Sequence, residues 1–328
     1  MKAVLCKAFC EPEGLVMEDV PSLKAGPGQV VISVKACGIN FFDGLMVQGK
    51  YQTKPPFPFS PGAEVAGVVR EVGANVADFT PGMRVLAFAG VGGYAEEVAV
   101  DAWRVLPIPD AMDFPTAAGF IITYGTSYHG LKDRAQVKAG ETLLVLGAAG
   151  GVGLTAVEIG KAMGARVIAA ASSPEKLALC KARGADEMIN YSSEDLRGRL
   201  KELTGGNGVD VVYDPVGGAF AEPAVRSMAW QGRYLVVGFA AGDIPKIPVN
   251  LLLLKSSALL GVFWGAAVQR DPAQNARNMA ELMAWYAQGK LQPHISATYP
   301  LTRAVEALNE VMHRKVMGKV ILTTETGG

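Results

Sequence analysis

The chain has 328 residues with 31 basic and 31 acidic side chains, so its formal net charge is +0. This length is enough for two domains with sizeable cores. The charges form no long run of one sign, which argues against a nucleic-acid or acidic-membrane surface. Neither a membrane-length apolar span nor a signal-peptide core is visible, and four scattered cysteines do not suit a disulfide framework. We therefore expect a cytoplasmic protein.

Short β-type runs broken by Pro and Gly occupy the chain from residue 1 to about 120. Their spacing is typical of a compact antiparallel β domain. The predicted strands of this domain, 1–120, are 3–8, 15–20, 29–36, 65–72, 83–88, 94–100 and 103–107.

Strands alternate with helices in the next region, 121–262, which predicts a doubly wound parallel sheet and an α/β fold class. The predicted strands are 143–146, 167–170, 187–189, 209–213, 234–237 and 259–262. The predicted helices are 154–163, 175–182, 195–203 and 219–228. The tail, 263–328, has helix-like stretches at 275–288 and 301–311 and a short strand at 318–322. Because a complete nucleotide-binding domain precedes it, we expect this tail to return to the first domain.

A glycine-rich turn between the first strand and helix of this region is the most informative motif. The turn has the pattern A-x-G-x-x-G from Ala148 to Gly153. In a strand–turn–helix unit such a turn brings backbone amides and a helix N-terminus against a pyrophosphate. Tight helix–strand packing alone also uses glycines, but the full unit favours a dinucleotide site. The predicted phosphate contacts are Ala149, Gly150, Gly151 and Val152.

The end of the next strand indicates which dinucleotide binds. NAD sites often place an acidic residue there to hold the ribose 2′-hydroxyl, whereas this chain has Ala171. Ser172 and Lys176 follow closely and could bind a 2′-phosphate. In the alternative interpretation Ser173 caps the next helix and Lys176 is solvated. Both interpretations can hold together, and the sequence predicts NADPH over NADH.

The whole chain resembles the medium-chain dehydrogenase/reductase superfamily, in which a β-rich GroES-like domain precedes a Rossmann domain. Besides the glycine turn, the resemblance depends on C-G-I-N at 37–40, P-G-A-E-V-A-G at 61–67, P-G-M-R-V at 81–85 and D-P-V-G-G at 214–218. Met83 departs from the Asp that the family commonly has there, which affects a turn and not the chemistry.

The zinc ligands of the family's alcohol dehydrogenases are not preserved here. Cys37 is retained at the first ligand position, but Ala63 stands at the His position and Phe41 replaces the His of the C-H-x-D run. A catalytic zinc needs three protein ligands and an open fourth position. The segment 86–100 also contains no cysteine for a structural zinc. We expect no metal.

The segments 38–43 and 48–51 resemble the zinc-independent quinone oxidoreductase branch, the zeta-crystallin type. That branch uses NADPH to reduce quinones or electron-poor alkenes. Related enoyl-thioester reductases place a proton-donating Tyr where this chain has Tyr51, although Tyr51 could instead be a packing residue near the Pro-rich loop. Asn40 could hydrogen-bond the acceptor oxygen or the nicotinamide ribose, or could form an Asx turn.

The resemblance implies further cofactor contacts. Thr126 is expected to start the helix that faces the nicotinamide, and Tyr191 to help Lys176 hold the 2′-phosphate. Gly238, Phe239 and Phe263 follow strands at the carboxyl edge of the sheet, where ligands of open α/β sheets bind. Ordinary core packing is the competing interpretation for the two phenylalanines.

Three functions remain open from the sequence. The favoured one is an NADPH:quinone oxidoreductase. The second is a reductase of activated C=C bonds, such as those of acryloyl-CoA or another enoyl thioester. The third is a noncatalytic NADPH-binding protein, since a fold alone does not prove catalysis. The run 259–262 is expected to be an apolar sheet edge that needs a cover, which predicts a homodimer.

Overall fold

A computed structural model describes residues 1–324 of the chain. These residues form two compact units. The first unit contains Met1–Ile122 and the stretch that begins at Pro293, and the second contains Thr123–Gln292. Within residues 1–324, none of the helices combines the length and the apolar character that crossing a membrane requires.

The strands are numbered in chain order: β1 Lys2–Leu5, β2 Val16–Asp19, β3 Gln29–Gly38, β4 Glu64–Val72, β5 Arg84–Phe88, β6 Glu97–Asp101, β7 Val105–Pro107, β8 Thr142–Leu146, β9 Arg166–Ala171, β10 Glu187–Asn190, β11 Val209–Asp214, β12 Met228–Val236, β13 Ala258–Gly261, β14 Ile295–Pro300 and β15 Lys319–Thr323. The α-helices are α1 Phe41–Val47, α2 Phe114–Ala118, α3 Ile121–Tyr128, α4 Gly151–Ala162, α5 Pro174–Ala182, α6 Leu196–Leu203, α7 Ala221–Arg226, α8 Asn250–Leu253, α9 Trp264–Arg270, α10 Pro272–Ala287 and α11 Ala304–Met312.

The first unit is built on one mixed sheet in the order β14-β15-β3-β4-β5-β7, with β6 also paired to β3. The pairs from β15 to β7 are antiparallel, and β14 runs parallel to β15. The central strand β3 is buried along most of its length and joins the main core of this unit. The predicted β-rich, GroES-like domain is therefore confirmed. The short helices α1 and α2 and the strand β14 were not predicted.

The second unit contains a six-stranded parallel sheet in the order β10-β9-β8-β11-β12-β13. This order reverses direction between β8 and β11, which is the crevice where open α/β sheets bind dinucleotides. The strand β8 is almost fully buried, as expected for a parallel strand covered on both faces. The predicted doubly wound Rossmann sheet is confirmed, and β13 lies at its edge, as predicted.

The predicted return to the first unit at residue 263 comes too early. Residues 263–292 belong to the second unit, because α9 and α10 bury their faces within it. The Trp264 ring fits against Gly125, where a Cβ would come within 2.7 Å of the indole. Asn278 of α10 donates a 2.8 Å hydrogen bond to Asp133. The chain enters the first unit again only at Pro293.

Candidate functional site

The glycine turn after β8 admits no larger side chains at two positions. Gly147 has φ +56°, and a Cβ on it would lie 2.6 Å from Val216 Cγ2. A Cβ on Gly153 would lie 2.3 Å from the Gly147 carbonyl oxygen. Such separations are far shorter than van der Waals contact, so the turn needs glycine here. The turn thus brings its backbone against the start of α4 as closely as the fingerprint requires.

The predicted phosphate contacts all lie at this turn. Gly150 is the N-cap of α4 and offers no side chain, and Gly151 and Val152 are the first residues of the helix. The first-turn amides of a helix have no intrahelical acceptor, and its N-terminus carries a partial positive charge. Ala149, which precedes the cap, is buried. Backbone, dipole and the absence of bulky side chains together fit a pyrophosphate.

A buried hydroxyl network fixes the glycine turn to α3 and β11. Ser127 Oγ lies 2.8 Å from the Val152 carbonyl oxygen and 2.9 Å from each of the hydroxyls of Thr155 and Tyr213. The sequence interpretation missed these residues, although hydroxyl groups inside apolar helices were a usable signal. Thr126 lies within α3, the helix Ile121–Tyr128, and not at its start as expected.

The strand end that was predicted to select NADPH brings two of its residues together. Lys176 Nζ donates to Ser172 Oγ at 3.2 Å. Ser173 also caps α5 by accepting from the Lys176 backbone amide, so the capping part of the alternative interpretation holds. Lys176 itself is half-buried, not solvated as that interpretation expected. Tyr191 follows β10, and its amide donates to the Ala171 carbonyl at 3.1 Å. A hydroxyl and an ammonium thus lie together at a strand end that has no carboxylate, while the Tyr191 ring packs against Phe220.

A second turn at this edge of the sheet is organised by Asp214, which the sequence analysis named only as part of the D-P-V-G-G motif. One carboxylate oxygen accepts from the amides of Val216 at 2.7 Å and Gly217 at 2.8 Å. The other accepts from the Tyr234 hydroxyl. Burial raises the pKa of Asp214, while these hydrogen bonds oppose the rise. The Gly238 amide donates to the Asp214 carbonyl oxygen at 3.3 Å, so the carboxylate-held turn also anchors the predicted cofactor segment.

The two predicted phenylalanines are not core residues. Phe239 is 38% exposed and Phe263 is 49% exposed. The neighbouring Trp264, by contrast, is buried. Both phenylalanines follow the carboxyl ends of parallel strands, β12 and β13, and are available to a ligand there.

In the first unit, Tyr51 lies on an aromatic support. Its ring stacks on Phe42 of α1 with centroids 5.2 Å apart and planes at 21°. Tyr51 is half-buried, and the structure shows no hydrogen bond to its hydroxyl within residues 1–324. Burial raises the pKa of Tyr51, and the charge of Asp43 raises it further. The ring is therefore held in place while the phenol stays protonated and open to a ligand.

Asn40 is engaged by its own unit and not exposed for an acceptor. Its side-chain amide donates to Glu64 Oε1 at 3.0 Å and to the Gly38 carbonyl at 3.3 Å. Its oxygen accepts from Lys319 Nζ at 2.9 Å. Both amide hydrogens are thereby used, so the geometry favours a structural role at the start of α1 over the predicted hydrogen bond to an acceptor.

Two positions that hold zinc ligands in the family's alcohol dehydrogenases are occupied here by buried, closely packed side chains. Cys37 is buried, and its sulfur lies so close to Gly62 and Gly93 that a Cβ on either would come within 2.9 Å. Burial raises the pKa of the Cys37 thiol well above its usual value. Ala63 is fully buried in the place of the family's His. Among residues 1–324, no group of three His, Cys, Asp or Glu side chains is arranged to hold a metal ion.

Comparisons with known proteins agree with this architecture. A family model described as alcohol dehydrogenase GroES-like domain matches residues 26–110, and one described as zinc-binding dehydrogenase matches 151–285. The quinone oxidoreductase-like protein 2 homolog of Nematostella vectensis is 40% identical over 328 residues, 99% of this chain and 89% of that protein. Homo sapiens quinone oxidoreductase is 34% identical, covering 98% of this chain and 97% of that protein.

A solved structure resembles the whole chain. Escherichia coli quinone oxidoreductase complexed with NADPH has a TM-score of 0.92 and 28% identity, with 98% of this chain and 100% of that chain covered. Together with the two-unit architecture and the glycine turn, these similarities define a medium-chain dehydrogenase/reductase. Within that class the chain belongs to the quinone oxidoreductase family.

Proposed function

We propose that the protein is an NADPH-dependent oxidoreductase that reduces a quinone. The 3.2 Å contact between Lys176 and Ser172, beside a strand end without a carboxylate, is the observation on which the cofactor assignment depends. A nearby acid would repel a 2′-phosphate, whereas an ammonium and a hydroxyl bind one. The quinone assignment is supported by the quinone oxidoreductase relatives.

The proposed reaction gives the candidate residues separate roles. NADPH, when bound, would supply a hydride to the acceptor. The glycine turn would hold the pyrophosphate, Lys176 and Ser172 would hold the 2′-phosphate, and the Asp214 turn would position Gly238 and Phe239. Tyr51 lines the acceptor site with a ring that Phe42 supports. The quinone would accept the hydride and one proton from the solvent, which would leave the hydroquinone and the oxidised cofactor.

The direct test is oxidation of NADPH by the purified protein with a series of quinones, a series of enoyl-CoA thioesters and no acceptor. Turnover with quinones at rates well above those with thioesters supports the proposal. Turnover with thioesters alone replaces it by the second function. NADPH binding without turnover of any acceptor would show a noncatalytic NADPH-binding protein.

Reduction of activated C=C bonds is retained as a second candidate because of the Tyr51 hydroxyl. Hydride addition to an enoyl thioester leaves an enolate whose α-carbon needs a proton, and a positioned phenol can supply it. The structure shows no hydrogen bond to that hydroxyl within residues 1–324 and keeps it protonated through a raised pKa. A hydroxyl in this position suits proton donation, whereas the raised pKa weakens the phenol as an acid and agrees with simple lining of the site.

We also propose a homodimer that forms through the edge strand β13. Leu259 on this strand is 37% exposed, and Leu253 and Leu254 just before it are 79% and 69% exposed. An unpaired apolar edge in a soluble chain invites pairing with a second copy, which would join the two sheets. Light scattering at micromolar concentration should give twice the chain mass. Leu259→Lys should shift the mass toward one chain, whereas Val16→Lys on β2 should not.

A further inference from the structure

A buried group of charged side chains lies at the start of α1, outside the roles assigned so far. Lys319 of β15 forms a 2.7 Å ion pair with Glu64 of β4, and both side chains are almost fully buried. The ammonium also donates to the Ile39 carbonyl at 2.7 Å and to Asn40 Oδ1 at 2.9 Å. A lysine has three hydrogens to donate, so Lys319 has none left for another acceptor.

Asp43 is a second acid in this group, and it has no such partner. It is 1% exposed. Its Oδ2 accepts from the backbone amide of Asn40 at 2.8 Å and from the Tyr94 hydroxyl at 3.2 Å. Its Oδ1 is buried without a hydrogen-bond partner within residues 1–324, and the structure shows no ion pair to Asp43 there. An ionised carboxylate in such a place would be costly, whereas a neutral carboxyl is tolerated.

The surroundings of Asp43 fix the direction of its titration. Burial is the largest effect and raises the pKa of Asp43 to about 7, with a further rise from the Glu64 charge and opposing effects from the Asn40 amide and Lys319. The pKa values of Tyr94 and Tyr51 are raised as well, so both phenols stay protonated near neutral pH.

Besides the two tyrosines, the ionisable side chains around Asp43 are Cys37, Glu64 and Lys319. Burial raises the pKa of the Cys37 thiol, so it also stays protonated. Glu64 and Lys319 are held in their ion pair. Asp43 is thus the buried acid at the start of α1 that has no ionic partner within residues 1–324.

We propose that Asp43 controls the reaction through its charge and that hydride transfer requires its neutral form. This inference depends on the proposed function, in which the acceptor lies against Tyr51. An acceptor that receives a hydride gains negative charge, whether it is a quinone or an enoyl thioester. A like charge on a buried neighbour opposes that gain in a medium that screens poorly. Asp43 acts in this way without touching the acceptor.

The sign of the pH dependence follows. Below about pH 7 Asp43 is neutral and hydride transfer proceeds, and above it Asp43 ionises and the reaction slows. The kcat for NADPH oxidation should therefore fall about 10-fold between about pH 6 and 8, as the neutral fraction of a group titrating between them does.

The test compares pH profiles of kcat with a reactive quinone. Asp43→Asn keeps an oxygen for the Asn40 amide and the Tyr94 hydroxyl and places an uncharged group at Oδ1. This variant should lose the fall in kcat between about pH 6 and 8. Asp78→Asn, an exposed acid of the same unit, should keep it. An active wild type whose fall in kcat is unchanged in Asp43→Asn would overturn the inference.

A second measurement does not require a folded variant. In wild-type protein with carbon-13-labelled aspartate carboxyls, one resonance should titrate near pH 7, far above ordinary aspartates. Titration of every aspartate below about pH 5 would overturn the inference even for an active enzyme. Absence of NADPH oxidation with every acceptor at every pH would instead overturn the proposed function, and this inference with it.

Discussion

The glycine turn of the second unit and the Tyr51 region of the first unit are constructed in opposite ways. The turn is one continuous segment, from the end of β8 to the start of α4. By the Tyr51 region we mean Tyr51, Asp43 and the ion pair that interacts with Asp43. This ion pair joins Glu64 of β4 to Lys319 of β15, which lie far apart in sequence. The first site is local, whereas the second exists only after long-range strand pairing.

This difference affects what a substitution does in each region. In the local site a side chain acts on the cofactor directly, so the expected effects appear in NADPH affinity. In the assembled site a side chain acts through packing or charge, so the expected effects appear in kcat and its pH dependence. The comparison would be wrong if substitutions in the glycine turn changed mainly kcat, or if substitutions near Tyr51 changed mainly NADPH affinity.

The largest expected effect belongs to Tyr51→Phe with an enoyl thioester as acceptor. The change removes the hydroxyl and keeps the ring that stacks on Phe42. Loss of general acid help should lower kcat by roughly 10²–10⁴-fold. With a quinone, whose oxygen water protonates readily, kcat should remain near that of wild type. Steady-state kinetics with both acceptors measures the difference.

Tyr299→Phe serves as the control, because Tyr299 is a half-buried tyrosine of the same unit outside the site. It should leave kcat unchanged for both acceptors. An enoyl kcat that survives in Tyr51→Phe would remove the hydroxyl from the reaction. Tyr51 would then line the site only, and changes should appear mainly in KM.

The next largest effect is expected for Gly153→Ala in the local site. Its Cβ would come 2.3 Å from the Gly147 carbonyl oxygen, so the turn has to shift. Strain of this kind typically costs about 1–3 kcal/mol, and NADPH affinity should fall with it. Gly261→Ala, where a Cβ meets nothing within 4 Å, should bind NADPH normally. Fluorescence titration that finds equal affinity in both variants would show that the turn does not form the cofactor site.

Lys176→Ala distinguishes the two cofactors. Loss of a charge-assisted contact to the 2′-phosphate should cost roughly 1.5–3 kcal/mol of NADPH affinity. NADH has no such phosphate, so its affinity should change little. Lys181→Ala, an exposed lysine of the same helix, is the matched control. Equal losses for NADPH and NADH would refute the assignment of Lys176.

The same contrast explains which features could be predicted from the sequence. The parallel strands, the glycine turn and the Ser172–Lys176 pair follow from local patterns, because periodicity and turn chemistry act over a few residues. The Lys319–Glu64 pair joins residues 255 positions apart and leaves no local signal. For Asn40 the sequence leaves open a bond to the acceptor, a bond to the nicotinamide ribose or an Asx turn, because its partners Glu64 and Lys319 are distant in sequence.

The tail shows a related limit. The helix around 275–288 was predicted from its pattern and is present as α10. The helix was predicted to belong to the first unit but lies in the second. The hydrogen bond from Asn278 to Asp133 depends on tertiary packing, which the sequence pattern does not show. Periodicity identifies a buried face but does not identify what covers it.

The smallest expected effect is that of removing metal ions, which should leave activity unchanged. We expect a reaction without a metal ion, since Ala63 is buried where the family's zinc enzymes have His. Dialysis against a strong chelator should leave quinone-dependent NADPH oxidation unchanged, and elemental analysis should find far less than one zinc per chain. A control dialysis without chelator separates loss of metal from loss of protein. A stoichiometric zinc whose removal abolishes turnover would mean that the Tyr51 region is organised by a metal ion, and the contrast between a local cofactor site and a metal-free assembled site would fail.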